Sequence, residues 1–426
     1  MRRRAFLGAT GVSTATLTAG CTAHMSLFED GRESYEPLGQ VAVDGAAEAV
    51  VGDEGDIAYV ATTDGFATVD VSDPAEPTVL ADRRDLEADD RQLTEILDVK
   101  VSGDRLVVPG PANSAGFDEF EGFVLYDVSD PADPVRASEP YETGYFIHNC
   151  YLDGEYLYVV RNGEGGNPLV VFDVGGDEPE EIGRWSVLEA EPAWEDAEWR
   201  LSYLHDVYVH EDLAVLAYWN AGTYLLDVSD PGDPEYLGHV TETDVDEQRE
   251  LTGDEEHEAY FGLPGNDHYS AVDETGELLA VGRESWAAEE GDPEGAGGID
   301  LFDLRDPSTP EHLTTIDAPD TVDASYQGGM WTTAHNFELR DDQLYSSWYQ
   351  GGVKIHDVSD PADPEELAWW REPDVAGFWT ARVAQASETF VASSTELIPN
   401  ASTEGSLYVF PIEEGEQADP PSLTDR

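Results

Sequence analysis

Four histidines stand in matching local contexts: Phe146-Ile147-His148-Asn149, Tyr203-Leu204-His205-Asp206, Asn266-Asp267-His268-Tyr269 and Thr333-Ala334-His335-Asn336. Each precedes a short run of alternating apolar residues that reads as a strand. Imidazole is the commonest protein ligand for Zn, Cu, Fe and Ni, provided that its nitrogen approaches to about 2.0–2.1 Å. Gathered on one rim, His148, His205, His268 and His335 could therefore hold Fe, Cu or Zn. The competing reading is that they bond backbone at strand starts. A second set of residues could bind a ligand directly, by stacking or by charge: Arg161, Trp219, Arg283, Trp286, Trp348 and Arg382. Phosphate-cradling glycine loops, Gly-x-Ser-x-Gly elbows and His-Glu-x-x-His helices do not occur.

Whether these residues meet depends on a repeat. The octet Asp70-Val71-Ser72-Asp73-Pro74-Ala75-Glu76-Pro77 returns from Asp127, Asp227 and Asp357, more loosely from Asp303, and in degenerate form from Asp173. Asp-Pro opens a turn, because the aspartate accepts from the backbone and proline presets φ. An apolar strand precedes each octet and a shorter one follows it. Units of about 45–55 residues with four strands apiece predict an all-β fold, a β-propeller. Octets supply six blades. Residues 378–412 supply three further strands, and 36–43 (Glu36-Pro37-Leu38-Gly39) reads like the outer strand of blade four, Glu235-Tyr236-Leu237-Gly238. The expectation is a seven-bladed propeller over 36–412, closed by an N-terminal strand that completes the last blade, with an acidic tail at 413–426.

In such a ring the first strand of each blade starts at one channel mouth. That alignment puts the four histidines at equivalent positions in blades three to six. It places Leu97 there in blade two, Glu48 in blade one, and Ala381 or Arg382 in blade seven. Second strands return to the same mouth, bringing Arg161, Trp219, Arg283, Trp286 and Trp348. Carotenoid cleavage oxygenases, also seven-bladed, hold iron with four histidines, but none of their sequence motifs is present here.

The unit Gly122-Phe123-Val124-Leu125-Tyr126-Asp127-Val128-Ser129-Asp130-Pro131 resembles the LVIVD repeat of bacterial and archaeal surface proteins. The resemblance spans 36–412 and implies a propeller at the cell surface, without implying an activity. Composition is consistent with that setting. Against 92 acidic residues stand 21 basic ones, for a net charge of −71. Lysine occurs only at 100 and 354. This balance excludes nucleic acid as a partner by repulsion from phosphate and resembles that of proteins from extremely halophilic archaea. Residues 1–20, with Arg3 and Arg4 ahead of Phe6-Leu7, resemble a twin-arginine export signal. Leu17-Thr18-Ala19-Gly20-Cys21 resembles a lipobox, with Thr18 where an aliphatic residue is usual; Cys21 would carry the lipid and 21–35 would be a tether. Asn400-Ala401-Ser402 is a glycosylation sequon. The expected protein is thus exported, lipid-anchored on the outer membrane face, and a binding module for a small molecule, glycan or surface protein. An oxidoreductase with a four-histidine Fe or Cu site is the alternative.

Overall fold

The structure, a computed structural model, describes residues 34–113, 119–163, 165–176, 178–399 and 401–425. Arg3, Arg4, Cys21 and Asn400 lie outside the described residues. The chain forms seven antiparallel blades arranged in a ring. Blade one comprises Ala49–Val51, Ile57–Ala61, Phe66–Asp70 and Thr78–Arg83, and blades three to six repeat that order. Blade two divides its outer strand between Val135–Arg136 and Tyr141–Glu142, both paired with Gly122–Asp127. Blade seven joins Phe378–Val383, Thr389–Ser394 and Ser406–Pro411 to the N-terminal strand Gly39–Ala42, in the register Gly39 to Val409 and Ala42 to Ser406. Ring closure is as the sequence predicts.

Middle strands such as Leu169–Asp173 are apolar on both sides because each blade is covered by two neighbours. Seven hydrophobic clusters result, one between each adjacent pair of blades. Outer strands such as Glu235–Val240 are largely exposed, and much of the acidic surplus sits on them and on the turns.

Each octet is a self-contained turn. Asp70 Oδ1 accepts from Ser72 N at 2.9 Å and Ser72 Oγ at 2.6 Å, and Asp73 Oδ1 accepts from Ala75 N at 3.2 Å. Asp127, Asp227 and Asp357 repeat the first bond. The octet carboxylates are thus occupied locally and serve the turn. The next residue anchors the turn inward: Val71, Val128, Val228 and Val358 each donate their N–H to the hairpin between the first two strands of their blade.

Neighbouring blades approach closely where the octet proline faces a small residue. In blades one and three to six the outer strand carries a bulge. Its extra residue is aliphatic (Leu80, Ile182, Leu237, Leu313 or Leu367), and glycine follows it at Gly183 and Gly238. A Cβ on Gly238 would lie 2.2 Å from the Pro307 carbonyl of the next octet, and one on Gly183 would lie 2.6 Å from that of Pro231. Gly39 meets Pro74 in the same way at 2.5 Å. This shared contact explains the likeness between the N-terminal strand and the outer strand of blade four.

The C-terminal residues do not hang free. Gly415–Glu416 pairs in parallel with the outer strand of blade six, Glu365–Trp370, and Leu423 is buried. Tyr35 N donates to Glu416 O at 3.0 Å, Ala418 N donates to Ser34 Oγ at 2.8 Å, and the Tyr35 hydroxyl donates to Pro411 O at 2.8 Å. No helix among the described residues is long and apolar enough to cross a membrane.

Gly238→Val should force the blade four–five interface apart and lower stability by about 1–3 kcal/mol. Gly52→Ala, whose Cβ would make an ordinary contact of 3.5 Å, should stay within about 0.5 kcal/mol of the parent. Urea-denaturation midpoints of the two variants give the comparison.

Candidate functional site

At the histidine end, the channel widens into a cup of about 830 Å³. The four histidines reach it, but in a row, not as a cage. Ring centroids lie 4.3 Å apart for His148 and His205, 3.6 Å for His205 and His268, and 4.6 Å for His268 and His335. The first strands of blades four and five bulge at the histidine itself, between Leu204 and Asp206 and between Asp267 and Tyr269. That distortion turns the ring into the mouth. His205 Nδ1 bonds the backbone carbonyl of His268 at 2.9 Å, and His335 Nδ1 bonds that of Trp379. His148 Nδ1 bonds Ala112 O at 3.0 Å.

The same bulge in blade seven falls at Trp379, between Phe378 and Thr380. Trp379 is therefore the rim residue of that blade, which corrects the expected Ala381 or Arg382. In blade one, Glu48 matches Asn149 in its backbone bond to the second strand, so buried Ala47 takes the register position of the histidines, while Glu48 still lines the cup. Arg382 lies deeper, paired with Glu48 at 2.7 Å, and lines a smaller cavity of about 280 Å³ at the opposite mouth.

Between the two cavities a buried polar layer plugs the channel. Asn336 donates to Glu48, Asn149 donates to Asp206, and Lys100 pairs with Asp98. Burial alone would raise Glu48, but Arg382 and Lys100 outweigh it and hold the carboxyl below its usual range. Asp206 goes the other way, pushed well up by burial and by neighbouring Asp98 and Glu48 against the pull of Lys100. Asn149 and Asp206 thus bond each other between adjacent blades, and Asn336 reaches from blade six to blade one. Cys150 is free and buried, with its N–H and Sγ toward Asp98.

The other expected ligand residues divide. Trp219 lines the cup, stacked on Tyr203 at 4.7 Å. Trp286 lines it too, within an aromatic cluster that includes Trp331, Tyr349, Phe261 and Tyr326. Trp348 does not reach it, being fully buried between blades five and six with its Nε1 on Ser346 Oγ at 2.8 Å. Arg283 turns into its own blade, where Asp300 at 2.8 Å, Glu242 at 2.7 Å and Asp267 at 3.4 Å neutralise it. Arg161 lies over the Tyr145 ring, away from the cup.

Glu284 is the residue that sequence reasoning passes over. It directly follows Arg283 at the end of a second strand, the position class that supplies Trp219, and that is the signal which could have found it. Its Oε2 lies 3.0 Å from His268 Nδ1, and its Oε1 accepts from the Tyr349 hydroxyl and lies 3.9 Å from His335 Nε2. Burial raises Glu284, but the two histidines and the Tyr349 bond win and set it at about 2. His268 Nε2 and His335 Nε2 face each other at 3.0 Å. Donor atoms of His268, Glu284 and His335 all lie within 4.8 Å of one another, and this is the sole such group found among the described residues. A single centre with four histidine ligands is therefore not what this row forms.

Fold and site together define a β-propeller repeat protein with one mouth open as a cup and the channel plugged below it. The model of the LVIVD repeat family matches residues 49–82 and 203–242, which are blades one and four. Among solved structures, the β-propeller domain of Cps50 (Swd1) from Myceliophteria thermophila matches with a TM-score of 0.56 at 10% identity, covering 88% of this chain and 99% of that one. The computationally designed Ika8 protein matches at 11% identity and a TM-score of 0.47, covering 92% of each chain. No curated protein sequence matches. The Cps50 likeness supports the propeller architecture alone.

Partly buried His148 is held down at about 4, against 6.5 ordinarily, chiefly by burial. The unfolded chain therefore takes up this proton first. The contribution of neutral His148 should be complete above about pH 6.5 and lost as pH falls from there toward 4. Urea midpoints measured across that window should fall less steeply for His148→Gln than for the parent.

Proposed function

We propose that the protein is an extracellular, lipid-anchored binding module that takes a neutral glycan or other small ring-shaped molecule into the cup. The observation that carries this reading is an open cup of about 830 Å³ walled by aromatic rings. Trp199, Tyr203, Trp219, Trp286, Trp331 and Trp379 offer faces on which apolar ring surfaces stack, and His148, His205 and Asn113 offer polar groups to hydroxyls. A net charge of −71 disfavours anions. Arg3, Arg4 and Cys21 support export and anchoring. A segment of a surface protein would use the same aromatic faces.

An oxidoreductase built on four histidines is the second reading. The row geometry weighs against it, since His148 and His205 stand outside the converging donor set.

Intrinsic tryptophan fluorescence, followed while a panel of neutral oligosaccharides is added at high salt, tests the binding role. A saturable change that weakens at least tenfold in Trp219→Ala is expected. No response to any member, or an unchanged response in the variant, counts against it. For anchoring, Cys21→Ala should move the protein from the membrane fraction to the medium; retention on membranes would refute the lipid attachment.

A further inference from the structure

Counting hydrogens around His268 and His335 leaves a gap that neither side chain fills. The Trp379 carbonyl can only accept, so His335 must carry its hydrogen on Nδ1. Ionised Glu284 can only accept from His268, so His268 must also carry its hydrogen on Nδ1. Two neutral rings fixed in this way present bare Nε2 lone pairs to each other at 3.0 Å. Lone pairs at that separation repel unless a cation lies between or beside them. A proton is one choice and makes an imidazolium, whose burial is costly. A metal ion is the other. Two nitrogens bound at about 2.1 Å and at right angles to each other lie about 3.0 Å apart, which is the separation found.

The surroundings suit the ion. Glu284 supplies a compensating negative charge and orients His268 through Nδ1 in the manner of carboxylate-backed metal histidines. All three residues line the cup, so further coordination positions open onto solvent or ligand. Two imidazole ligands backed by a carboxylate suit Zn²⁺, Fe²⁺ or another divalent first-row ion. We propose that His268, His335 and Glu284 form a divalent transition-metal site in the cup, with the two Nε2 atoms as ligands and Glu284 behind His268 as the carboxylate that orients it and balances the charge. The proposal holds whichever organic ligand the cup takes.

Full-length mature protein, stripped with EDTA and dialysed against Co²⁺ in molar KCl, provides the test, because high salt screens loose binding to surface carboxylates. One ion retained per chain, with the visible absorption of nitrogen-ligated cobalt, is the expected result. Affinity should fall at least about 100-fold in His335→Ala and about 10–100-fold in Glu284→Gln. It should be unchanged in His210→Gln, which alters a histidine remote from the cup. Near-UV circular dichroism establishes that each variant is folded. Should His335→Ala not fold, the Cu²⁺ EPR spectrum of the unaltered protein decides, because nitrogen hyperfine splitting is required. No retained ion, retention equal in folded His335→Ala, or a copper spectrum showing oxygen ligands alone would each overturn the proposal. In the first case, the histidine pair shares only a proton.

Discussion

Pairing of Gly39–Ala42 with Ser406–Pro411 is the interaction on which the remaining structure depends. Without it, blade seven would end in a bare strand edge, and the cluster joining blades seven and one would lose Val41 and Val43. The consequences reach the site. Glu48 of blade one meets Arg382 of blade seven and Asn336 of blade six, so the channel plug is assembled from both ends of the chain. Asn336 adjoins His335, and His335 bonds the backbone of Trp379 in blade seven. The orientation of the last histidine in the row is thus tied to ring closure.

Two opposite electrostatic regimes coexist a short distance apart. Outside, carboxylates crowd the turns and outer strands, where solvent screens them. Inside, the histidines of the row sit among aromatic rings, and burial drives His148, His205 and His335 toward the neutral form. A strongly acidic protein would ordinarily favour charged imidazoles, so shielding by the aromatic wall is what keeps these nitrogens available as ligands or hydrogen-bond partners. The plug has a second effect. Because the channel is closed beneath the row, whatever enters the cup must leave by the same opening.

Much of the architecture was legible because it rests on local rules repeated along the chain. Asp-Pro octets mark turns by their own hydrogen bonds, and the Leu-Gly step in 38–39 and 237–238 records one contact, the close pass of a neighbouring octet proline. The rim was legible in blades three to six, where histidine itself marks the position, and at Leu97 of blade two, which lines the cup. In blade seven a bulge shifts the register, so Trp379 took the place assigned to Ala381 or Arg382. Trp348 and Arg283 were misplaced for a different reason. Strand-end position fixes which mouth a residue is near but not which way its side chain turns, and Arg283 turns toward Asp267 and Asp300 on the flanking strands of its own blade and Glu242 on the loop from blade four. Glu284 was overlooked because its strand-end position after Arg283 is the sole mark that sets it apart among 92 acidic residues until the fold places it beside His268.

The clasp formed by Ser34 and Tyr35 with the C-terminal residues has a mechanical meaning. A pull on the chain ahead of Ser34 is met first by the bonds to Ala418, Glu416 and Pro411 and by the stacking of Tyr35 on Phe410. Only after these part does the load reach the strand that closes the ring. The two chain ends thus act as a fuse in series with the propeller, able to yield under tension while the seven blades, and the cup at their centre, stay shut.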